Sequence, residues 1–330
     1  MMAENAGGAR PAEAGAGAQA APATACERDA VISVRGLRMT YGAVEAVRGI
    51  DLEVRAGEVF AFLGPNGAGK TTTLEILEGF RARTAGDVTV LKSDPADAGP
   101  SWRVRIGVVL QDSRPEPELT VRECLSLYAG YYPSPRPIAE TLELVGLAGR
   151  AGARCSSLSG GQQRRLDVAL ALIGDPELLF LDEPTTGFDP ASRRAAWEVI
   201  AGLRTLGKTI FLTTHYMEEA EYLADRIALI SGGRIVATGT PASLGGRDAE
   251  RARIRFGLPA GVSCSDLPAD VHAKWSASAD GGVEILAADP LPLLGSLAAW
   301  ASARGLVLPG LTVLRPTLED TYLRLSEEER

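Results

Sequence analysis

The stretch Gly64-Pro65-Asn66-Gly67-Ala68-Gly69-Lys70-Thr71 constrains this chain more than any other. It follows five apolar residues, 59–63, which read as a buried strand. It leads into Thr72-Thr73-Leu74-Glu75-Ile76-Leu77, which reads as the start of a helix. The pattern G-x-x-x-x-G-K-T between strand and helix is that of a phosphate-binding loop. Its glycines let the backbone curl so that successive N–H groups point inward, and the helix N-terminus adds the positive end of its dipole. Lys70 supplies a point charge for the outer phosphates. Thr71 supplies a hydroxyl for a magnesium ion bridging them. A plain glycine turn would not need the Lys-Thr pair.

The 330 residues leave room for one large or two modest domains. The formal net charge of −8 argues against a nucleic-acid binder working through a global basic field, and no nucleic-acid partner is expected. Cys26, Cys124, Cys155 and Cys264 are widely spaced and fit a reducing compartment better than a disulfide framework or zinc site. With only His215 and His272, a histidine metal cluster is not on offer. No stretch approaches the roughly 20 apolar residues that span a bilayer. Residues 1–29 are Ala/Gly/Pro-rich and read as a disordered extension, not a secretory signal. The chain is therefore expected to be soluble, with any membrane role exerted through a partner.

From residue 30 to 54 short runs alternate, punctuated by Gly36, Gly42 and Gly49, which reads as antiparallel strands. Tyr41-Gly42 reads as a turn; Tyr41 fits either a strand-edge aromatic or a ring presented to a nucleobase. Residues 86–90 read as a further strand, and the apolar run 104–110 ends at Gln111. The C-terminal end of a buried strand faces the ligand crevice of an α/β sheet. Gln111 there suits a magnesium-bound or nucleophilic water, or is a plain strand-end amide.

Residues from about 113 to 176 read as a helical insert between strands. Thr120-Val121-Arg122-Glu123 is a capping box opening one helix, and a second runs from about 138 to 145. The insert carries Leu158-Ser159-Gly160-Gly161-Gln162, which opens a helix with Leu166, Leu170 and Ile173 on its apolar side. Ser159 is a natural N-cap, and Gly160 and Gly161 leave N–H groups uncovered at a positive helix end. This is an ordinary cap or a second anion cradle. With two cradles, either the chain binds two anions, or one cradle completes the other's site in a second copy.

The apolar strand 178–181 ends in Asp182-Glu183-Pro184. At that position the first carboxylate can hold magnesium through water, and the second can orient and polarise an attacking water. Asp189 then caps a helix whose first residue is Pro190. The strand 209–213 is followed by His215, which is structural or touches a terminal phosphate. Residues 226–230 and 234–237 read as a hairpin. From about 242 the pattern changes: a linker at 244–248, strands at 252–258 and 283–286, a helix at 291–304, an extended run at 306–314, and a last helix opened by Thr317 with Leu318, Tyr322 and Leu325 on one face. No catalytic constellation occurs there.

Phosphate loop, strand-end Gln, Leu-Ser-Gly-Gly-Gln, Asp-Glu, Asp turn and strand-end His occur in that order over residues 30–240, and this order resembles the nucleotide-binding subunit of an ATP-binding cassette (ABC) transporter. The resemblance implies an α/β P-loop NTPase core with an antiparallel β subdomain and a helical subdomain, plus a small C-terminal α+β accessory domain. The divisions are 1–29, 30–241 and 242–330, with the helical subdomain at about 113–176. Gly64, Pro65, Asn66, Gly67, Ala68, Gly69, Lys70, Thr71 and Thr72 take the place of the Walker A loop, and Gln111 that of the Q-loop. Ser159, Gly160, Gly161 and Gln162 stand for the signature that caps the γ-phosphate held by the opposite subunit. Asp182 is the implied magnesium residue with Thr71 and Gln111, Glu183 the catalytic base, Asp189 the D-loop aspartate, His215 the switch histidine and Tyr41 the adenine-stacking aromatic. Phe188 departs from the leucine common before the D-loop Asp.

The cofactors implied are ATP and Mg2+. The partners implied are a second copy, in an ATP sandwich, and a separate membrane permease. Residues 214–221 and 315–323 look like the ATP-binding proteins of ABC-2-type exporters, the group that includes daunorubicin-resistance-like drug efflux systems. That places the chain at the cytoplasmic face of the membrane, held by its permease. A soluble cassette acting on ribosomes or DNA is the competing reading.

Overall fold

The computed structural model describes residues 30–110, 116–244, 251–277, 282–314 and 317–328. The extension expected over 1–29, most of the linker expected at 244–248, and Gln111 lie outside the described residues. So does the side chain of Leu325.

Three strands open the chain: β1 (Ala30–Tyr41), β2 (Val44–Arg55) and β3 (Val59–Leu63). β1 and β2 form one long antiparallel pair. Gly36 and Gly49 do not end strands, as their spacing suggests; both sit at positive φ beside breaks in the register between Val34 and Arg38. An extra residue bends a strand without ending its pairing, so two long bulged strands replace several short ones. The phosphate loop leads from β3 into α1 (Lys70–Leu77), and β4 (Ala85–Val90) pairs with the free edge of β1.

The short α2 (Pro100–Arg103) precedes β5 (Ile106–Val109). The insert then supplies α3 (Val121–Ala129), α4 (Ile138–Leu144) and α5 (Gly160–Leu172). The anticipated capping box of Thr120 with Glu123 is formed, and the anticipated Ser159 cap proves to be a capping box as well, closed by Gln162. The core resumes with β6 (Leu178–Asp182), α6 (Pro190–Thr205), β7 (Thr209–Thr214), α7 (Met217–Leu223) and the hairpin β8 (Arg226–Ser231) and β9 (Arg234–Gly239).

The main sheet has the order β5-β6-β7-β3-β8-β9, parallel except for β9. Its central strands β6, β7 and β3 are buried along their whole length and largely apolar because both faces are covered. Side chains alternate between faces with period two. Ala61, Leu63, Leu181, Leu212 and Leu229 join the core under the helical insert, α6 and α7. Phe60, Phe62, Phe180, Phe211 and Ile230 join the core under α1 and the antiparallel strands. Phe60 stacks on Phe211 with ring centroids 5.6 Å apart. The C-terminal ends of β3, β6 and β7 therefore open at one edge, where the phosphate loop, Asp182-Glu183 and His215 follow them.

The C-terminal part contains β10 (Ala252–Phe256), α8 (Ala269–His272), β11 (Trp275–Ala277), β12 (Val283–Ala287), α9 (Leu291–Ala303), β13 (Thr312–Leu314) and α10 (Leu318–Glu328). Its antiparallel sheet has the order β11-β12-β10-β13 and buries Ile254, Ile285, Leu293, Leu297 and Val271 in a core of its own. Within the expected extended run 306–314, only Thr312–Leu314 pairs as a strand. α10 returns to the first domain, where Leu318 is buried with Ala220 and Leu223 of α7.

Candidate active site

The loop of residues 64–71 is shaped by its neighbours. A Cβ on Gly64 would lie 2.4 Å from the Ile230 carbonyl oxygen. One on Gly69 would lie 2.6 Å from that of Ala46, and Gly69 holds φ at 104°. Only glycine fits both close approaches. The loop borders a cavity of about 310 Å³ lined by Ala46, Asn66, Gly67, Gly69, Lys70, Thr71, Thr72 and Glu183.

Lys70 is 4% exposed, and its ammonium donates to the Gly64 and Pro65 carbonyls at 2.8 and 3.1 Å. It also lies 3.2 Å from Glu183 Oε1. Burial alone would raise the Glu183 carboxyl pKa, but the Lys70 charge and hydrogen bond, the Thr186 hydroxyl and His215 outweigh it and hold it below the usual range. Glu183 is thus a carboxylate at neutral pH. Thr186 Oγ1 donates to its Oε2 at 3.0 Å, and His215 Nδ1 lies 3.1 Å from the same oxygen. Glu183 holds φ at 44°, where a non-glycine side chain is uncommon, and its N–H is fixed by the Thr213 carbonyl and hydroxyl, both at 3.1 Å. That strain aims the carboxylate into the cavity.

Asp182 behaves oppositely. Burial pushes its pKa up, hydroxyls of Thr213 and Thr71 draw it down, and the neighbouring Glu183 charge adds to the rise. A buried carboxylate whose pKa stays raised despite the Lys70 charge, with the Thr71 hydroxyl bonded to it, is a donor set that fits a divalent cation. Asp182 and Thr71 would hold magnesium there, and the ion would supply positive charge next to a bound phosphate.

The other anticipated residues stand outside this cavity among the described residues. Ser159 caps α5 by accepting from the Gln162 backbone, and Gln162 Oε1 accepts from Ser159 N at 3.1 Å, so the Gln162 side chain belongs to the cap. Asp189 accepts from Ala191 and Ser192 N–H at 3.0 and 3.1 Å and caps α6. Tyr41 ends β1, 40% exposed, with the Arg81 guanidinium 5.2 Å from its ring centre and Arg81 paired to Glu75 at 2.5 Å.

Arg164 was not anticipated. It is buried on α5 and donates to the backbone carbonyls of Leu110, Asp182 and Pro184, so it ties the helix opened by Ser159 to both strand ends. A signal existed: Arg164 and Asp167 sit three apart on the face that also carries Val168 and Ala171. Thr185 and Trp197 both donate to the buried Glu219 of α7, at 2.7 and 3.0 Å, which fixes the segment after Glu183.

The chain is similar to known proteins in sequence and fold. The family described as ABC transporter matches residues 47–186, and that of ABC transporter domain-containing protein-like, C-terminal domain, matches 252–317. A Nod factor export ATP-binding protein I from Ralstonia nicotianae is 39% identical over 311 residues, covering 91% of this chain and 94% of that one. The protein of that name from Rhizobium meliloti is 40% identical over 305 residues, covering 90% and 88%. Among solved structures, cbiO1 from Clostridium perfringens, part of the ABC transporter complex cbiONQ, superposes with a TM-score of 0.60 at 27% identity, over 66% of this chain and 90% of that one. A dimeric ATP-binding cassette in a post-hydrolysis state with ADP and Pi gives 0.57 at 26% identity, over 63% and 98%. The chain belongs to the family of ABC transporter ATP-binding proteins and is an ATPase of that family.

Proposed function

We propose that this chain is the ATP-hydrolysing subunit of an ABC-2-type exporter, working as a dimer at the cytoplasmic face of a separate membrane permease. The observation that carries the reading is the half-built site. The cavity has a phosphate cradle, a cationic Lys70 and an ionised Glu183, while no residue of the Ser159–Gln162 cap lines it. A second copy in head-to-tail arrangement supplies that cap to the γ-phosphate. Residues 30–241 are the motor and 242–330 an accessory domain. Among the described residues no helix is long and apolar enough to cross a membrane, so passage of cargo belongs to the permease. The relatives' names read Nod factor export, so the narrower drug-efflux reading gives way to export of a cargo that the permease selects.

In this reading Lys70 grips the outer phosphates, and Asp182 and Thr71 hold magnesium together with Gln111. Glu183 orients the attacking water and accepts its proton, His215 touches the γ-phosphate, Tyr41 stacks on adenine, and Asp189 lies at the dimer interface. ATP binds the closed dimer more tightly than the open one, and that difference drives the permease between its states.

Lys70→Ala is expected to weaken ATP binding about 10- to 100-fold, the scale of losing charge-assisted hydrogen bonds from a buried ammonium. Equilibrium binding of a fluorescent ATP analogue measures it, and unchanged affinity counts against the phosphate-loop assignment. The export reading is tested by affinity purification from detergent-solubilised membranes. A polytopic permease should come down with the chain; recovery of ribosomes or DNA in its place favours a soluble cassette.

A further inference from the structure

His215 is held from two sides. Its Nδ1 meets Glu183 Oε2, and its ring centre lies 4.1 Å from that of Tyr216, the planes tilted by 39°. The Arg193 guanidinium lies 4.1 Å from the Tyr216 ring centre. Arg193 belongs to the first turn of α6, where its N–H donates to the Asp189 carbonyl at 2.9 Å. The preceding Ser192 lies near the first turn of α5: a Cβ added to Gly161 would be 3.4 Å from Ser192 Oγ. Arg193 Nε is buried with no hydrogen-bond partner, and no ion pair of Arg193 occurs among the described residues. A guanidinium with neither an ion pair nor a bond at Nε is held chiefly by the aromatic ring it covers.

We propose that Arg193 is a positioning residue for ATP hydrolysis: by stacking on Tyr216 it holds His215 against the Glu183 carboxylate. The inference rests on the reading of Glu183 and His215 as the catalytic pair. It adds a physical link from the start of α6, which Asp189 caps, to the carboxylate that activates water. An imidazole free to rotate would present Nδ1 to Glu183 only part of the time. Turnover then falls, while the phosphate cradle that binds ATP stays intact.

The test is steady-state ATP hydrolysis by the full chain with magnesium, titrated in ATP, for the wild type and for Arg193→Met, Arg193→Lys, Tyr216→Leu and His215→Ala. Arg193→Met is expected to lower kcat about five- to tenfold with KM within about twofold, the scale of a partly desolvated cation–π contact. Arg193→Lys keeps the cation and recovers at least half of the loss. Tyr216→Leu reproduces the Arg193→Met defect, and adding Arg193→Met to it, or to His215→Ala, costs no further turnover. A wild-type kcat for Arg193→Met beside an impaired His215→Ala overturns the proposal alone. So does an equal loss from Arg193→Met with and without His215, or no recovery by Arg193→Lys. Wild-type turnover in His215→Ala overturns the underlying assignment as well.

Discussion

Glu183→Gln is expected to lower ATP turnover about 100- to 1000-fold while ATP binding persists, and to leave the protein dimeric whenever ATP is present. The scale is that of removing a positioned general base. The argument begins at β6, whose last residue is Asp182. The next residue takes an uncommon backbone conformation, with its N–H clamped by Thr213, and so projects its carboxylate into the cavity beside Lys70. Burial alone would raise that carboxyl's pKa, but Lys70, Thr186 and His215 outweigh it and hold it below the usual range. A glutamine keeps the shape and cannot accept a proton. It also removes the ion pair that engages the Lys70 ammonium, so affinity for ATP should not fall. Bound ATP that is not hydrolysed keeps bridging two copies. Phosphate release measures the first effect, and light scattering with and without ATP the second. A monomer in saturating ATP sinks the sandwich arrangement; near-normal phosphate release sinks the role given to Glu183.

The elements behind this prediction were legible because each has a local chemical reason. A strand buried on both faces is mostly apolar, so residues 59–63 and 178–181 stand out in any reading. A helix N-terminus needs a cap, and Ser159, Asp189 and Thr120 announce theirs. Register is not local. Gly36 and Gly49 read as punctuation because glycine at a turn and glycine at a bulge have the same signature until the partner strand is placed. The run 306–314 is apolar enough for a strand, yet only its last three residues find an edge, on β10.

At the site, residues whose type and position suit a phosphate or a cation could be picked out, whereas those that bond distant parts of the chain could not. Arg164 reads as a surface charge on a helix until the strand ends it bonds are folded beneath it. Arg81 lies between α1 and β4 and meets Tyr41 across 40 residues of sequence; the pairing of β4 along β1, with Ala85 opposite Arg38, brings them together. The C-terminal helix α10 is another such case, since its landing place on α7 is fixed by the intervening sheet.

Glu78 is the largest of these hidden features, and Glu78→Gln is expected to stabilise the protein increasingly as pH rises. Glu78 follows the last residue of α1, is 4% exposed, and its Oε1 has no hydrogen-bond partner. Burial, then the charges of Asp182 and Glu75, push its carboxyl from 4.5 up to about 8. The folded protein therefore holds a proton that the unfolded chain releases above pH 4.5. Stability is full below that value and is lost as pH rises towards about 8, by up to about 1.4 kcal/mol per pH unit, and the loss is complete above it. Glutamine does not titrate, and its amide resembles the protonated acid in size, so the variant escapes the loss. At pH 7.5 a gain of about 1–3 kcal/mol is expected, below the full linkage value because the buried amide is itself incompletely bonded. Thermal unfolding across pH 5.5–8.5 measures it: the Tm gap between variant and wild type should widen with pH, and parallel curves would remove the buried proton from the account. The same proton has a consequence at the site. An ionised Glu78 would add negative charge near Asp182, where burial and Glu183 already raise the carboxyl pKa. Keeping Glu78 neutral at working pH leaves Asp182 and Glu183 to set the negative charge beside Lys70 and Thr71.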